Sequence, residues 1–375
     1  MFDQIEPFII DNGSGTIKAG YANKENQSGP PIEFPSIIAR PRHKGLGQIG
    51  AKQAAIFVGN EADKKRGLCK VSYPIEQGYI KSVDDTYLMW CEALRGVPGG
   101  MSQIKSRGLV LTEPPLNSNI NRETMVEVAL EKLQCKAVSL QVQGVLSLYS
   151  YGQVTGTIVE IGDGVTHTIP IFDGFCMPHA VNRVDNAGRD LTTYLQKLLM
   201  EEGVNLSSSA EFQIVRDLKE KYCFVASKAG ASESKPQKHV LPDGTTITIN
   251  EQQTRVPEVL FNPELVGKDQ PGVHKMVADT VAKVDVDLRN DLYKNIFLSG
   301  GSSMFKGIDK RMLNEVQAII PSQAKAGVVA KKHRSCAAFI GATMVCSLSS
   351  YDHSNYITKQ ELEESGKSII ARKCF

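Results

Sequence analysis

Two short segments of this 375-residue chain set carboxylates, glycines and hydroxyls at spacings suited to holding an anion. The first is Phe8-Ile9-Ile10-Asp11-Asn12-Gly13-Ser14-Gly15, followed by Thr16 to Tyr21. An apolar run, a tight glycine turn and a second alternating run predict a β-hairpin. The second segment, Gly156 to Ile169, repeats the pattern, so that Asp11 falls on Glu160, Gly13 on Gly162 and Gly15 on Gly164. Turns of this kind aim several backbone N–H groups at one anion, because no Cβ blocks the approach. Gly13-Ser14-Gly15 and Gly162-Asp163-Gly164-Val165 each predict such a nest, and facing each other they would clamp the two ends of a polyphosphate. Lys18 would add a point charge. Asp11 and Glu160, at matching strand ends, suit the water shell of a Mg²⁺ ion. No G-x-x-x-x-G-K-[ST] sequence is present, which excludes a P-loop NTPase. Alone, a D-x-G-S-G turn is more often a plain hairpin, and His167 more often an interior histidine. The pairing of the two hairpins carries the weight.

The elements that must position these residues follow from pattern. A repeat about 150 residues apart predicts a duplicated fold with two facing halves. Asn121 to Leu133 predicts a helix, with Met125, Val126, Ala129, Leu130 and Leu133 at helical spacing. Leu191 to Met200 and Ala210 to Phe224 predict two more. Ala229 to Lys238 reads as a surface loop, and Leu241-Pro242-Asp243-Gly244 turns into a strand at Thr245 to Ile249. Asn295 to Ser303 predicts a strand, a Gly300-Gly301 turn and a helix start. Pro41 to Gly50 is Gly-rich and basic, an exposed loop.

Bulk properties narrow the class. A chain this long exceeds what one core usually supports, so two or more lobes are expected. The net charge of +2 gives no general drive towards nucleic acid, membrane or acidic polymers. Lys331-Lys332-His333-Arg334 is a short basic cluster, read as a solvated loop. The eight cysteines are scattered, without metal-ligand spacing, as expected of reduced thiols in a cytosolic protein. Met1 to Glu6 lacks the features of a signal peptide, and the apolar stretch Ala337 to Cys346 is too short to span a bilayer, so no membrane insertion is expected.

Two such hairpins with a later strand-Gly-Gly-helix turn form the three-part signature of the superfamily that joins actins, sugar kinases and heat-shock chaperone ATPases. Within it the chain resembles the actin family end to end. The likeness runs through Phe8 to Gly15, Tyr73-Pro74-Ile75-Glu76, Gln143 to Tyr149, Gly162 to Thr168, Ala187 to Thr192, Ile214 to Lys221, Asp285 to Arg289, Leu298-Ser299-Gly300-Gly301, Lys359-Gln360-Glu361 and Arg372-Lys373-Cys374-Phe375. The resemblance implies an α/β, duplicated actin-like ATPase fold of two lobes and four subdomains around a central nucleotide cleft. Residues 1–35, 74–150 and 337–375 would form subdomain 1, 36–73 subdomain 2, 151–186 and 269–336 subdomain 3, and 187–268 subdomain 4.

It also implies ATP/ADP with Mg²⁺ or Ca²⁺ as cofactors. Gly13, Ser14, Gly15 and Lys18 would hold one end of the phosphate chain, and Asp163, Gly164 and Val165 the other. Arg216, Lys219, Glu220, Gly188, Gly300, Gly301, Ser302 and Phe305 would border the adenosine. Asp11, Glu160, Gln143 and His167 would surround the γ-phosphate. Asp11 and Glu160 would hold the metal through water, Gln143 would orient the attacking water and His167 would relay its proton. The implied activity is a slow, assembly-stimulated ATPase in a cytoplasmic, cytoskeletal filament. Self-association would use the loop at 41–52, and actin-binding proteins would use a groove at Tyr149, Ile340, Met344 and Leu348.

The departures from the family pattern carry their own expectations. Glu160 stands where actins have Asp, which predicts altered metal preference or hydrolysis. Phe305 replaces a tyrosine and Ser335 a lysine near the adenine. Gln77 replaces a histidine that many actins methylate. Asp3 and Glu6 alone remain of an acidic N-terminus, and the pI is about 8.0, so weak myosin binding is expected. Lys268 puts a charged tip on the Leu265 to Lys268 loop, expected to loosen contacts between filament strands. A second reading stays open: a non-polymerising actin-related subunit of a multiprotein complex, with ATP as structural ligand.

Overall fold

The apolar run before Asp11 becomes strand β1 (Phe8–Asn12), and the alternation after the glycine turn becomes β2 (Thr16–Tyr21). This computed structural model describes residues 6–42, 56–231, 233–348, 351 and 353–374. The chain divides into two units, one of Met1–Val154 with Cys336–Phe375 and one of Thr155–Ser335. The loop expected at 41–52 lies outside the described residues except for Pro41 and Arg42.

In the first unit β1 and β2 join β3 (Ile32–Pro35), β4 (Gly108–Glu113) and β5 (Ala137–Val142) in the order β3-β2-β1-β4-β5, with Ile357–Thr358 at the far edge. β2 runs antiparallel to β1 and β3, whereas β4 is parallel to β1 and β5 parallel to β4. Every residue of β4 is buried, as a strand covered on both faces requires. One face packs Phe8, Ile10, Leu109 and Leu111 against Met89, Trp90 and Leu94 of helix α1 (Val83–Arg95), whose Ser82 N-cap accepts the Asp85 N–H. The other face packs Ile9 and Val110 against Leu146 of helix α2 (Gln143–Ser150) and against Phe339 and Ala342. Gly341 sets the closeness of that pair, because a Cβ there would stand 1.7 Å from the Leu146 carbonyl oxygen.

The second unit holds β6 (Gly156–Ile161), β7 (Thr166–Phe172), β8 (Phe175–Cys176), β9 (Asn182–Val184), β10 (Ile296–Ser299) and β11 (Val328–Val329). Their order is β8-β7-β6-β10-β11, with β9 also beside β7. The first three alternate in direction, β10 is parallel to β6, and β11 is parallel to β10. Strand order and sense therefore repeat those of the first unit. The duplication read from two glycine turns is present in the whole sheet topology.

Boundaries differ from expectation where the backbone has its own reasons. The helix expected at 121–133 forms as Asn119–Glu127 and continues through a wider π-turn, Val128–Lys132, with its five apolar residues buried as expected. Helix α3 (Gly188–Glu201) starts three residues before Leu191, and helix α4 (Ser209–Tyr222) stops where Cys223 turns extended. The end of the loop at 229–238 joins a strand, Gln237–Val240, paired with Thr246–Ile249. After Ser299 the chain makes one short turn, Gly301–Met304, and the helix begins only at Ile308, because Gly300 and Gly307 take positive φ values of 88° and 83°.

All eight cysteines are free, six of them buried, and burial pushes the Cys135 and Cys223 thiols up to about 12. Among the described residues no helix is long and apolar enough to cross a membrane.

Candidate functional site

In the first unit the β1–β2 register sets Lys18 opposite Asp11, so both side chains share a face, with Lys18 Nζ 3.8 Å from Asp11 Oδ2. Both are buried. Thr112, one step past the Ile10–Leu111 pair of β1 and β4, donates its hydroxyl to Asp11 Oδ1 at 2.7 Å and accepts the Asn12 N–H at 2.9 Å. Gln143, first residue of α2, donates Nε2 to Asp11 Oδ1 at 3.2 Å and to Thr112 Oγ1 at 3.1 Å. A carboxylate only accepts, so the Gln143 amide must present nitrogen to it and its carbonyl oxygen Oε1 elsewhere. Gly13 is required at its turn: a Cβ there would lie 2.3 Å from the Thr16 carbonyl oxygen. Ser14 accepts the Gly78 N–H at 3.0 Å. That ties the hairpin to the two-residue turn Gln77-Gly78, whose φ values of 52° and 81° are of type I′. Asp11, Gly13, Ser14, Gly15, Lys18 and Gln143 are thus gathered at one end of one sheet.

The second unit repeats the arrangement with other chemistry. His167 stands opposite Glu160 as Lys18 stands opposite Asp11, and Ser299 of β10 is in register with Glu160 as a counterpart of Thr112. Arg183 of β9 continues the row beyond His167 and bonds Asp185 at 3.2 Å. His167 is 1% exposed, and its Nε2 has no hydrogen-bond partner among the described residues. Burial, with a smaller contribution from Arg183, pushes its pKa down to about 3. The imidazole is neutral across the physiological range.

The β6–β7 turn is held from three directions. Gly162 O accepts from Gly188 N at 3.0 Å and from Ser302 Oγ at 2.7 Å, while Arg189 N reaches Asp163 O at 2.8 Å. A Cβ on Gly188 would lie 2.3 Å from Ser302 Oγ and displace that hydroxyl, and one on Gly300 would meet the Ile161 carbonyl oxygen at 2.3 Å. Lys219, on the buried side of α4, donates to Gly188 O at 2.8 Å and Thr192 Oγ1 at 2.9 Å, and burial lowers its pKa. Asp163, Gly164, Val165, Gly188, Lys219, Gly300, Gly301 and Ser302 are therefore contiguous. Arg216 and Glu220 instead pair with each other at 3.0 Å on the outer side of α4, and Phe305 sits in the unit's apolar core.

Two expectations change. Lys268 is not a free charged tip: its ammonium folds back onto Asp190, 2.6 Å away, and onto the Asp185 carbonyl. The N-terminal turn of α3 supplies the counter-charge that solvent would otherwise provide, since the other Asp190 oxygen accepts the Ala187 N–H. In the basic cluster Lys331, Lys332 and His333 are exposed as expected, but Arg334 donates Nη2 to Ser303 O at 2.8 Å while its own carbonyl accepts the Gly300 N–H. Arg334 braces the Gly300 turn.

Sequence reasoning missed Thr112, Asn12 and Trp90, whose indole donates to Asn12 Oδ1 at 2.8 Å. Thr112 carried a signal, a hydroxyl at the end of an apolar strand. Trp90 carried none. Tyr149, Ile340, Met344 and Leu348 lie on α2 and on or just beyond helix Ala337–Cys346; Ile340 is buried, Tyr149 and Met344 half-buried, and Leu348 57% exposed. The sequence model of the actin family matches residues 2–375. With that match over essentially the whole chain, and the twin carboxylate hairpins in place, the chain belongs to the actin family.

Proposed function

We propose that this chain binds Mg-ATP, polymerises head-to-tail into helical cytoskeletal filaments and hydrolyses ATP on assembly. The observation that carries the reading is the repeated trio of carboxylate, cross-strand base and neighbouring hydroxyl, Asp11–Lys18–Thr112 and Glu160–His167–Ser299, each beside a glycine turn, where a Cβ would stand 2.3 Å from a carbonyl oxygen at Gly13 and 3.3 Å from one at Gly162. Close backbone approach of this kind is what a phosphate needs. Among the described residues no three His, Cys, Asp or Glu cluster as a metal cage. That suits Mg²⁺, which keeps its waters and is held by one or two carboxylates together with phosphate oxygens; Asp11 and Glu160 are the candidates. Bound there, the ion would neutralise charge on the phosphates. The division into four subdomains, 36–73 and 187–268 being the smaller ones, belongs to the same reading.

In this mechanism the protein acts by positioning. Asp11 and Thr112 lock the Gln143 amide, leaving Oε1 to accept a hydrogen bond from the attacking water and so orient it. His167, neutral and buried, offers nitrogen lone-pair density as a hydrogen-bond acceptor, and with a pKa of about 3 it would hand the water's proton on to a phosphate oxygen rather than store it. A base this weak fits slow turnover. Gly188, Gly300 and Ser302 keep the β6–β7 turn in shape, and Lys219 braces α3 from behind. Pelleting in Mg-ATP and potassium chloride, with microscopy and phosphate release in parallel, tests the reading. Filaments with release coupled to assembly support it. ATP binding without filaments over a wide concentration range replaces it with the actin-related subunit.

A further inference from the structure

The near-neutral total conceals a local imbalance. Between Ser36 and Tyr73 the sequence holds eight Lys or Arg against two carboxylates, so the rest of the chain is net negative. The described part of this segment is a small three-stranded sheet, Phe57–Val58, Ile38–Pro41 and Cys69–Ser72, with helix Gly59–Lys64 packed over Ile37, Ala39 and Cys69. Of its two carboxylates, Asp63 is already engaged and exposed Glu61 forms no ion pair among the described residues. Buried Arg66 takes Asp63, and Arg40 reaches Asp85 of α1. Among the described residues no carboxylate pairs with Arg42, Lys64, Lys65 or Lys70.

Three of these cations, Lys64, Lys65 and Lys70, lie within four residues of Leu68 in the chain, and Arg42 bonds the carbonyl of the residue after it. The Leu68 and Cys69 N–H groups both donate to Lys65 O, at 3.1 and 3.0 Å, in a tight turn that leaves Leu68 80% exposed. Arg42 arches over the same turn to donate to Cys69 O at 3.3 Å, and Lys70 follows on an exposed position. Lys65 lies over the Phe57 ring, 3.3 Å from its centroid, so that aromatic face is covered. The Arg40–Lys70 register even sets two cations opposite each other, an arrangement unfavourable to the sheet by itself.

We propose that this edge of the small sheet is a docking surface for an anionic phospholipid bilayer, with Leu68 entering the headgroup region and Arg42, Lys64, Lys65 and Lys70 facing lipid phosphates. An exposed apolar side chain with unpaired cations on neighbouring positions suits a soft, laterally mobile anionic interface. Single-stranded nucleic acid would call for an open aromatic face, which Lys65 occupies. Binding is peripheral and reversible, because four charges and one leucine fall far short of an anchor. It does not depend on the nucleotide reading above.

Flotation of the full chain, under conditions without assembly, with phosphatidylcholine vesicles and with vesicles containing about one-third phosphatidylserine tests this. The protein should float with the anionic vesicles alone and be released in about 0.5 M potassium chloride. Lys64→Gln with Lys70→Gln should lower the partition about thirtyfold, at about fivefold per surface cation. Leu68→Ser should weaken it severalfold without altering the salt dependence. These side chains are exposed, so near-ultraviolet circular dichroism should remain that of the parent. Equal flotation with both vesicle types, or partition unmoved by the double variant, overturns the proposal. Retention on poly-glutamate beads without flotation also overturns it, in favour of an acidic protein partner.

Discussion

Acidification should expose how deeply the second half-site is committed to a neutral imidazole. In the unfolded chain His167 titrates near the ordinary value of 6.5, while in the fold burial holds it at about 3. Between those values the unfolded state binds a proton that the native state refuses. The contribution of His167 is thus fully present above pH 6.5 and is lost as pH falls towards 3. At pH 5, about one and a half units below the unfolded value, the loss is about 2 kcal/mol. His167→Gln keeps a polar side chain but has no proton to gain, so it isolates this share from every other titrating group. Urea unfolding of the parent and the variant at pH 7 and pH 5, followed by a probe in the second unit, should show the parent losing about 2 kcal/mol more than the variant. Its imidazole Cε1–H resonance should stay at the neutral position down to about pH 4. Equal pH dependence of the two proteins, or a His167 resonance titrating above pH 5, would refute the reasoning.

Arg311→Met should destabilise the second unit by about 3–5 kcal/mol in denaturant, because it strands Glu258 and Glu315, which the buried guanidinium bonds at 2.8 and 2.7 Å. Gly188→Ala must push Ser302 off Gly162, so nucleotide should dissociate at least tenfold faster, as read by release of a fluorescent ATP analogue, with a change in melting temperature too small to explain it. Lys268→Met removes the ammonium from Asp190 and should speed tryptic cleavage of the neighbouring segment, whereas Lys268→Arg should restore protection. Glu160→Asp should shift the ratio of phosphate release in Mg²⁺ to that in Ca²⁺, and an unchanged ratio would show that the extra methylene is silent.

The glycine turns, the carboxylates and the repeat were legible because they are local: a hairpin and its turn lie within about ten residues, and their chemistry is written in residue type. The matching of Lys18 with His167 was equally legible, since each follows its carboxylate by the same offset, yet alignment of the acidic and glycine positions alone passed over it. Contacts far apart in sequence were not readable. Trp90 reaches Asn12 across 78 positions, and only the packing of α1 on the sheet brings them together. Lys268 misled for another reason: a long flexible side chain in a loop looks solvated until the fold supplies Asp190, again 78 positions away. The surplus of cations between Ser36 and Tyr73 was in plain view but averaged away in a total of +2.

The two sheets differ in the group set opposite the carboxylate. Beside its carboxylate the first keeps Lys18, 3.8 Å from Asp11, and the second keeps a buried ring that burial holds uncharged. A single unduplicated hairpin offers one cross-strand position for both tasks and must compromise between holding charge and moving protons. Two copies of the sheet offer two such positions, which on the function proposed above divide the tasks between them. On that function, exchanging Lys18 for His or His167 for Lys would leave both copies with the same cross-strand group and one of the tasks without its residue.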